Sequence, residues 1–213
     1  MRKPFILCCF FLVICSIAMP LFAADPFEDN LPIKSGMKLK FIYIVAHMEQ
    51  KDRTWTVEIV RNSFPNSVTY KWYRPQKGKG DMTGTRILTD LKLSRNFNPL
   101  FKRDENEATT DTAPWISQQI LHELRERSTA VNFREGGTGA INWAARSLDL
   151  KEKILFPVII NGKLESLRAF RLNKGMVVWN NMNNPLVLEY EPLSVPLFTS
   201  ITGWKLVSIE YKD

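Results

Sequence analysis

The chain has 213 residues, with 29 lysines and arginines against 22 aspartates and glutamates, a net charge of +7 at pH 7. That length suits one domain or two small ones, and a core that stands without disulfides. The basic excess favours anionic envelope surfaces such as phospholipid head groups, lipopolysaccharide phosphates or acidic glycans; nucleic acid is argued against by the export signal read next.

Arg2 and Lys3 precede an almost wholly apolar run from Phe5 to Met19, and Leu21-Phe22-Ala23-Ala24 leads into Asp25. A positive start, a short apolar middle and small exit residues read as a secretory signal peptide over residues 1–24. The apolar run is shorter than the about 20 residues a bilayer span needs. An uncut signal anchor is one alternative. Lipid attachment at Cys15 is another, suggested by Leu12-Val13-Ile14-Cys15, although the residue before a lipidated cysteine is normally small. Cys8, Cys9 and Cys15 all lie inside this segment. The remainder, 25–213, is 189 residues (213 less 24), carries 27 basic against 22 acidic residues, a net +5, and has no cysteine. A disulfide framework, a thiol nucleophile and a cysteine metal site are thereby excluded from it. No Asn-x-Ser/Thr acceptor occurs, so a bacterial periplasm, with outer-membrane association, is the simplest home.

The rest reads as hairpins. Met37, Leu39, Phe41, Tyr43 and Val45 alternate with Lys38 and Lys40, and from Ile42 both faces are apolar. Glu49 to Arg53 reads as a polar turn. Trp55, Val57 and Ile59 then alternate with Thr56 and Glu58; after the turn Ser63–Ser67 come Val68, Tyr70 and Trp72. Three aromatic and β-branched strands with short polar connections predict an antiparallel meander. Gln76 to Gly84 is a glycine- and lysine-rich loop, followed by a short strand, Thr85 to Leu88. Residues 89–113 show no sustained period and read as a long surface connection. The spacing predicts a helix over 117–127, capped by Ser117, with Ile120, Leu121 and Leu124 as its apolar stripe and Arg125 and Arg127 at its negative end. Ala130 to Phe133 reads as a strand and Glu135–Gly139 as a loop. Ile154–Ile160 and Lys163–Arg171 form a hairpin across Asn161-Gly162. Strands at Met176–Trp179, Leu186–Tyr190 and Trp204–Tyr211 follow, with breaks at Pro192 and Pro196. The expected fold is mainly β, with one or two helices: a large curved antiparallel sheet or half-open barrel covered by a helix, in a single domain over 25–213.

Catalytic motifs are scarce. His122-Glu123-Leu124-Arg125-Glu126 begins like a zinc-protease helix but lacks the second histidine. His47 reads as a strand-end residue. Ser35-Gly36-Met37-Lys38 has the letters of an acylation motif but enters a strand, without its companion motifs. Gly136-Gly137-Thr138-Gly139 lacks the Gly-Lys-Ser/Thr of a phosphate cradle. Asp104, Glu105, Glu107 and Asp111 offer paired carboxylates of the kind glycan hydrolysis needs, against the plainer reading of a solvated acidic loop. The positive features are aromatic and basic. Phe41, Tyr43, Trp55, Tyr70, Trp72 and Tyr73 crowd the first meander, where aromatics serve cross-strand packing or line a groove for an acyl chain. Lys71, Arg74, Lys77 and Lys79 flank the glycine loop and suit phosphates at a rim.

Several segments together resemble a known group. Thr112-Ala113-Pro114-Trp115-Ile116-Ser117 opens the helix with His122-Glu123-Leu124; Pro157-Val158-Ile159-Ile160-Asn161-Gly162 follows, then Val178-Trp179-Asn180-Asn181-Met182-Asn183-Asn184-Pro185-Leu186-Val187-Leu188 and the closing Gly203-Trp204-Lys205-Leu206-Val207-Ser208-Ile209. This resembles uncharacterised exported proteins of Gram-negative bacteria, including the periplasmic region ahead of some OmpA-type domains, with an Asn-rich turn where those carry an acidic one. The first meander is similar in style to families with curved sheets like those of periplasmic lipoprotein carriers. The resemblance implies the compartment and the fold, and no activity for any residue.

The expectation is a non-enzymatic envelope protein that binds a lipid or an envelope protein in its curved sheet, using Phe41, Tyr43, Trp55, Tyr70 and Trp72, with Lys77 and Lys79 steering anionic groups or an anionic membrane surface. It expects no metal, no cofactor and no nucleic acid. The alternatives are a carboxylate-dependent hydrolase of envelope glycans and a structural adaptor with a filled interior.

Overall fold

A computed structural model describes residues 29–45, 47–76, 80–127, 131–136, 144–191 and 203–212. Residues 1–24, read above as a signal peptide, and Lys77, Lys79, Gly137, Gly139, Pro192 and Pro196 lie outside the described residues.

Alternating apolar positions make β1 (Lys38–Val45), β2 (Met48–Ser63), β3 (Ser67–Arg74) and β4 (Met82–Leu88) an antiparallel meander. Leu39, Phe41, Trp55, Val57, Val68, Tyr70 and Trp72 turn inward and are buried, while Lys38, Lys40, Glu58 and Lys71 stay exposed. The first reversal differs from the sequence reading. Glu49–Arg53 is not a turn but part of β2, with Gln50 opposite Tyr43, Glu49 opposite Ile44 and Met48 opposite Val45. The chain reverses near His47, whose φ of 63° is left-handed. Glu49, Lys51, Asp52 and Arg53 are exposed, so their polarity marks a solvated ribbon rather than a break in it.

Residues 89–113 also differ from the expected surface connection. They contain β5 (Asn96–Phe97) and β6 (Glu105–Thr109), and β6 lies parallel to β4 from Gly84 opposite Glu105 to Leu88 opposite Thr109. β6 buries Glu105 and exposes Asn106, Glu107 and Ala108. A strand whose one buried residue is charged shows no hydrophobic alternation.

Helix α1 (Gln118–Glu126) forms where the spacing places it. Ser117 Oγ accepts from the Ile120 amide at 3.3 Å, Ile120, Leu121 and Leu124 are buried, and Arg125 occupies the last turn. It packs on β7 (Val131–Glu135), which with β5 and β8 (Ala144–Leu148) makes a small three-stranded sheet.

β9 (Leu150–Ile160) and β10 (Lys163–Leu172) meet across Asn161-Gly162, both at positive φ, 47° and 82°. That is the backbone a two-residue hairpin turn demands. β11 (Met176–Trp179) and β12 (Val187–Tyr190) continue the meander. β13 (Gly203–Glu210) is the seam. One of its edges pairs with β1 along its length. The other takes β12 at Trp204 and Lys205 and β9, in parallel, at Ser208 and Ile209. The strands β9–β12 therefore curl until both ends of their sheet meet one edge of β13. From its other edge the order continues β1-β2-β3-β4-β6. The protein is mainly β with a single helix among the described residues, and its sheet curves and closes at one end.

Candidate functional site

The inner face of the first meander and of β13 carries a connected set of aromatic rings. Phe41 stacks on Trp55 with centroids 4.5 Å apart. Trp55 also meets Phe101 at 4.9 Å and Trp204 at 5.7 Å, and Phe101 meets Trp72 at 5.3 Å. Trp204 continues to Tyr190 at 4.7 Å and Phe97 at 6.0 Å. Such pairs contribute about 0.5–1.5 kcal/mol each beyond area burial. Phe101 is the one ring of this set that stays half-buried. It sits on the segment 98–103, which links β5 to β6.

A buried ion pair holds that segment. Arg86 Nε lies 2.8 Å from Glu105 Oε1 and Nη2 3.1 Å from Oε2, with both side chains almost fully enclosed. Arg86 also donates to the carbonyls of Asn98, at 3.0 Å, and Leu100, and its guanidinium lies over the Phe101 ring at 4.2 Å. Glu105 accepts in addition from Trp72 Nε1 at 2.6 Å and from the Lys102 amide at 3.3 Å. Gly84 sits between Trp72 and Glu105 in the sheet, and a Cβ there would lie 2.6 Å from Trp72 Nε1. The missing side chain lets the indole cross the strand and reach the carboxylate. A charged pair this buried survives because its remaining hydrogen-bonding capacity is met by the segment it holds.

The structure brings together three of the residues singled out from sequence, Phe41, Trp55 and Trp72, through direct contacts and through Phe101. Tyr70 lies apart from the ring set. Its hydroxyl donates to the Ala113 carbonyl at 2.7 Å and its ring meets Trp115 at 5.5 Å. Tyr43 is buried with the Arg74 guanidinium 4.6 Å over its ring. Burial pushes both phenols above the ordinary tyrosine value. The two lysines of the predicted site, Lys77 and Lys79, belong to the residues not described. The sequence reading missed Phe101 and Arg86, and took Glu105 as one of four loop carboxylates rather than as the partner of a buried arginine. A lone Arg inside an alternating strand, on the same face as Tyr70 and Leu88, was the available signal for a buried charge.

One polar atom in the set has no partner. Trp72 donates to Glu105, Trp115 to Asn184 Oδ1 at 2.8 Å, Trp179 to Asp29 Oδ2 at 2.8 Å and Trp204 to the Val187 carbonyl at 3.2 Å. Trp55 Nε1 is buried with no acceptor, a state that costs about 1–3 kcal/mol.

The four acids read as a solvated loop are divided. Glu105 is buried in the ion pair, which corrects that reading because Arg86 sits opposite it inside the sheet. Glu107 is exposed, 4.0 Å from Lys102 Nζ. Asp104 is exposed at a positive φ of 56°, and Asp111 accepts from Asn98 Nδ2 at 3.1 Å. His122 lies on the helix surface 3.3 Å from Glu126, and His47 lies 3.1 Å from Glu191. Among the described residues no group of His, Cys, Asp and Glu is arranged to hold a metal. Two clefts open on the outside, one of about 670 Å³ between the Ser35-Gly36 and Asn161-Gly162 turns. The other, of about 600 Å³, lies over the exposed side chains of β2, β3 and β4.

No family model, curated protein or solved structure matches the chain. The resemblance to exported Gram-negative proteins rests on its sequence segments alone.

Proposed function

We propose that this is an exported, non-enzymatic protein of a bacterial envelope that binds a lipid acyl chain within its curved sheet, beneath Phe101. The observation that carries this reading is the Trp55 indole N–H, buried without an acceptor among aromatic rings and covered by one half-buried ring on a segment held chiefly by side chains. Displacing Phe101 uncovers Trp55 and Trp72. A chain that replaces the ring keeps the apolar contact, and its ester or carboxyl oxygen meets the unpaired donor. Glycan hydrolysis has weaker support, because both oxygens of Glu105 are engaged by Arg86, Trp72 and Lys102.

Titration with a brominated fatty acid tests it through quenching of tryptophan fluorescence. Saturable quenching is expected, together with a faster approach to equilibrium in Phe101→Ala. Trp55→Phe is expected to weaken binding about 5- to 10-fold, the worth of one hydrogen bond of about 1 kcal/mol in a dry site. Absence of quenching in both the parent and Phe101→Ala would sink the reading.

A further inference from the structure

The outward face of the β9–β10 hairpin is apolar near its turn. Leu164 is 76% exposed, Leu155 63% and Ile159 45%. Ile159 lies directly opposite Leu164, Pro157 opposite Ser166 and Leu155 opposite Arg168, so these side chains share one face. Phe156, Val158 and Leu167, between them, are buried on the other face. The hairpin therefore spends apolar residues on both faces, and only one faces the core. Along the same outer rows, the sheet next presents Ser208 and then Lys40.

The charge of the hairpin as a whole has one sign in excess. Leu150–Leu172 holds Lys151, Lys153, Lys163, Arg168 and Arg171 against Glu152 and Glu165, five less two, or +3. Arg171 is paired with Glu152 at 3.0 Å and Arg168 with Asp29 at 3.6 Å. Lys40 and Lys151 are exposed and enter no ion pair among the described residues. Lys163 and Glu165 are both exposed on the opposite face of β10, across from Ile160 and Val158.

We propose that this face docks on an anionic lipid surface, with Leu155, Ile159 and Leu164 entering the head-group boundary and Lys40 and Lys151 meeting the phosphates. The outside of a sheet that closes on itself is convex, which fits a yielding surface better than a groove. Lysine stems lie along apolar material while their ammonium groups stay in water. Apolar area and basic charge together are what hold a peripheral protein at such a boundary. The proposal is independent of the aromatic ring set, since no residue is shared.

Vesicle co-sedimentation tests it, with the parent and variants purified in the same processed form. Vesicles of equal parts phosphatidylglycerol and phosphatidylcholine are compared with phosphatidylcholine alone. Binding to the anionic vesicles that weakens with added salt is expected. Leu155→Thr/Ile159→Thr/Leu164→Thr is expected to lose about tenfold or more, and each of Lys40→Gln and Lys151→Gln about fivefold. Leu164→Thr alone, at the most exposed position, serves should the triple variant fail to fold. Three results would overturn the proposal: no binding by the parent, equal binding by a folded threonine variant, or a parent dimer dissolved by Leu164→Thr with no vesicle binding. Fatty-acid quenching is unchanged by these substitutions, so the failure of either reading leaves the other standing.

Discussion

Arg86 and Glu105 meet inside the sheet on neighbouring parallel strands, 2.8 Å apart and at 4% and 2% side-chain exposure. Their register does not place them directly opposite, since Arg86 faces Glu107 and Glu105 faces Gly84. The pair forms across that diagonal because Gly84 leaves room for the carboxylate, and Arg86 then has donors left for the carbonyls of Asn98 and Leu100. One ion pair thus ties β4, β6 and the segment carrying Phe101.

Glu105→Gln is expected to destabilise the protein by about 3–5 kcal/mol, because it leaves a buried guanidinium without its counter-charge. The double variant Arg86→Met/Glu105→Met removes both charges and is expected to cost less than Glu105→Gln alone. Urea denaturation of the three proteins checks this. A double variant less stable than Glu105→Gln would show that the charges do not act as a pair.

Gly84→Ala probes the same place by volume. Its Cβ would stand 2.6 Å from Trp72 Nε1 and 2.7 Å from Glu105 Cγ, closer than such atoms approach, so the indole must leave the carboxylate. Overpacking of this kind costs about 1–3 kcal/mol. A lowered melting temperature with a changed near-ultraviolet dichroism from Trp72 is expected. An unchanged spectrum would mean that the indole does not lie across Gly84.

Most of the architecture was legible from alternation. Trp55, Val57 and Ile59 against Thr56 and Glu58 announce a half-buried strand, and Asn161-Gly162 announces its hairpin, because both signals are local. What could not be read depends on distant partners. β6 is a strand only because β4 lies beside it, and Glu105 is buried only because Arg86 reaches it. The closure at β13 needs β12 and β9 to share one edge, which no local pattern records. At the candidate site the aromatic residues of the strands were visible as a group. Phe101 was not, since a single ring in an aperiodic polar stretch looks like a loop residue until the fold lays it on Trp55.

The Asn-rich turn after β11 is buried rather than solvated, with Asn180, Asn181 and Asn184 each at 1% exposure or less. Asn184 Oδ1 accepts from Trp115 Nε1 at 2.8 Å, and Asn181 Nδ2 donates to the Leu31 carbonyl at 2.9 Å. Asn184→Ala leaves the Trp115 indole without an acceptor, and a loss of about 1–3 kcal/mol is expected. In a double-mutant cycle with Trp115→Phe the two effects are expected to be less than additive. Full additivity would show that the hydrogen bond contributes nothing.

Two glutamates give opposite dependences on pH. Burial raises the Glu189 carboxyl above the ordinary glutamate value; Lys205, 3.9 Å away, opposes this and Glu191 adds to it. The folded protein then holds this proton more tightly than the unfolded chain. Stability attributable to Glu189 therefore falls as pH rises from the ordinary value through the raised one. Glu123 is held below the ordinary value, first by the hydrogen bond from Arg95 and also by Gln119. Its contribution is present above the ordinary value and is lost as pH falls through the lowered one. Glu189→Gln is expected to raise the melting temperature at neutral pH and to flatten the decline just above the ordinary glutamate range. Glu123→Gln is expected to lower the melting temperature at neutral pH and to lose part of the parent's sensitivity to acid. Thermal melts from acid to neutral pH separate the two. A Glu189→Gln curve that runs parallel to the parent's would mean that this carboxylate is as comfortable in the fold as in water.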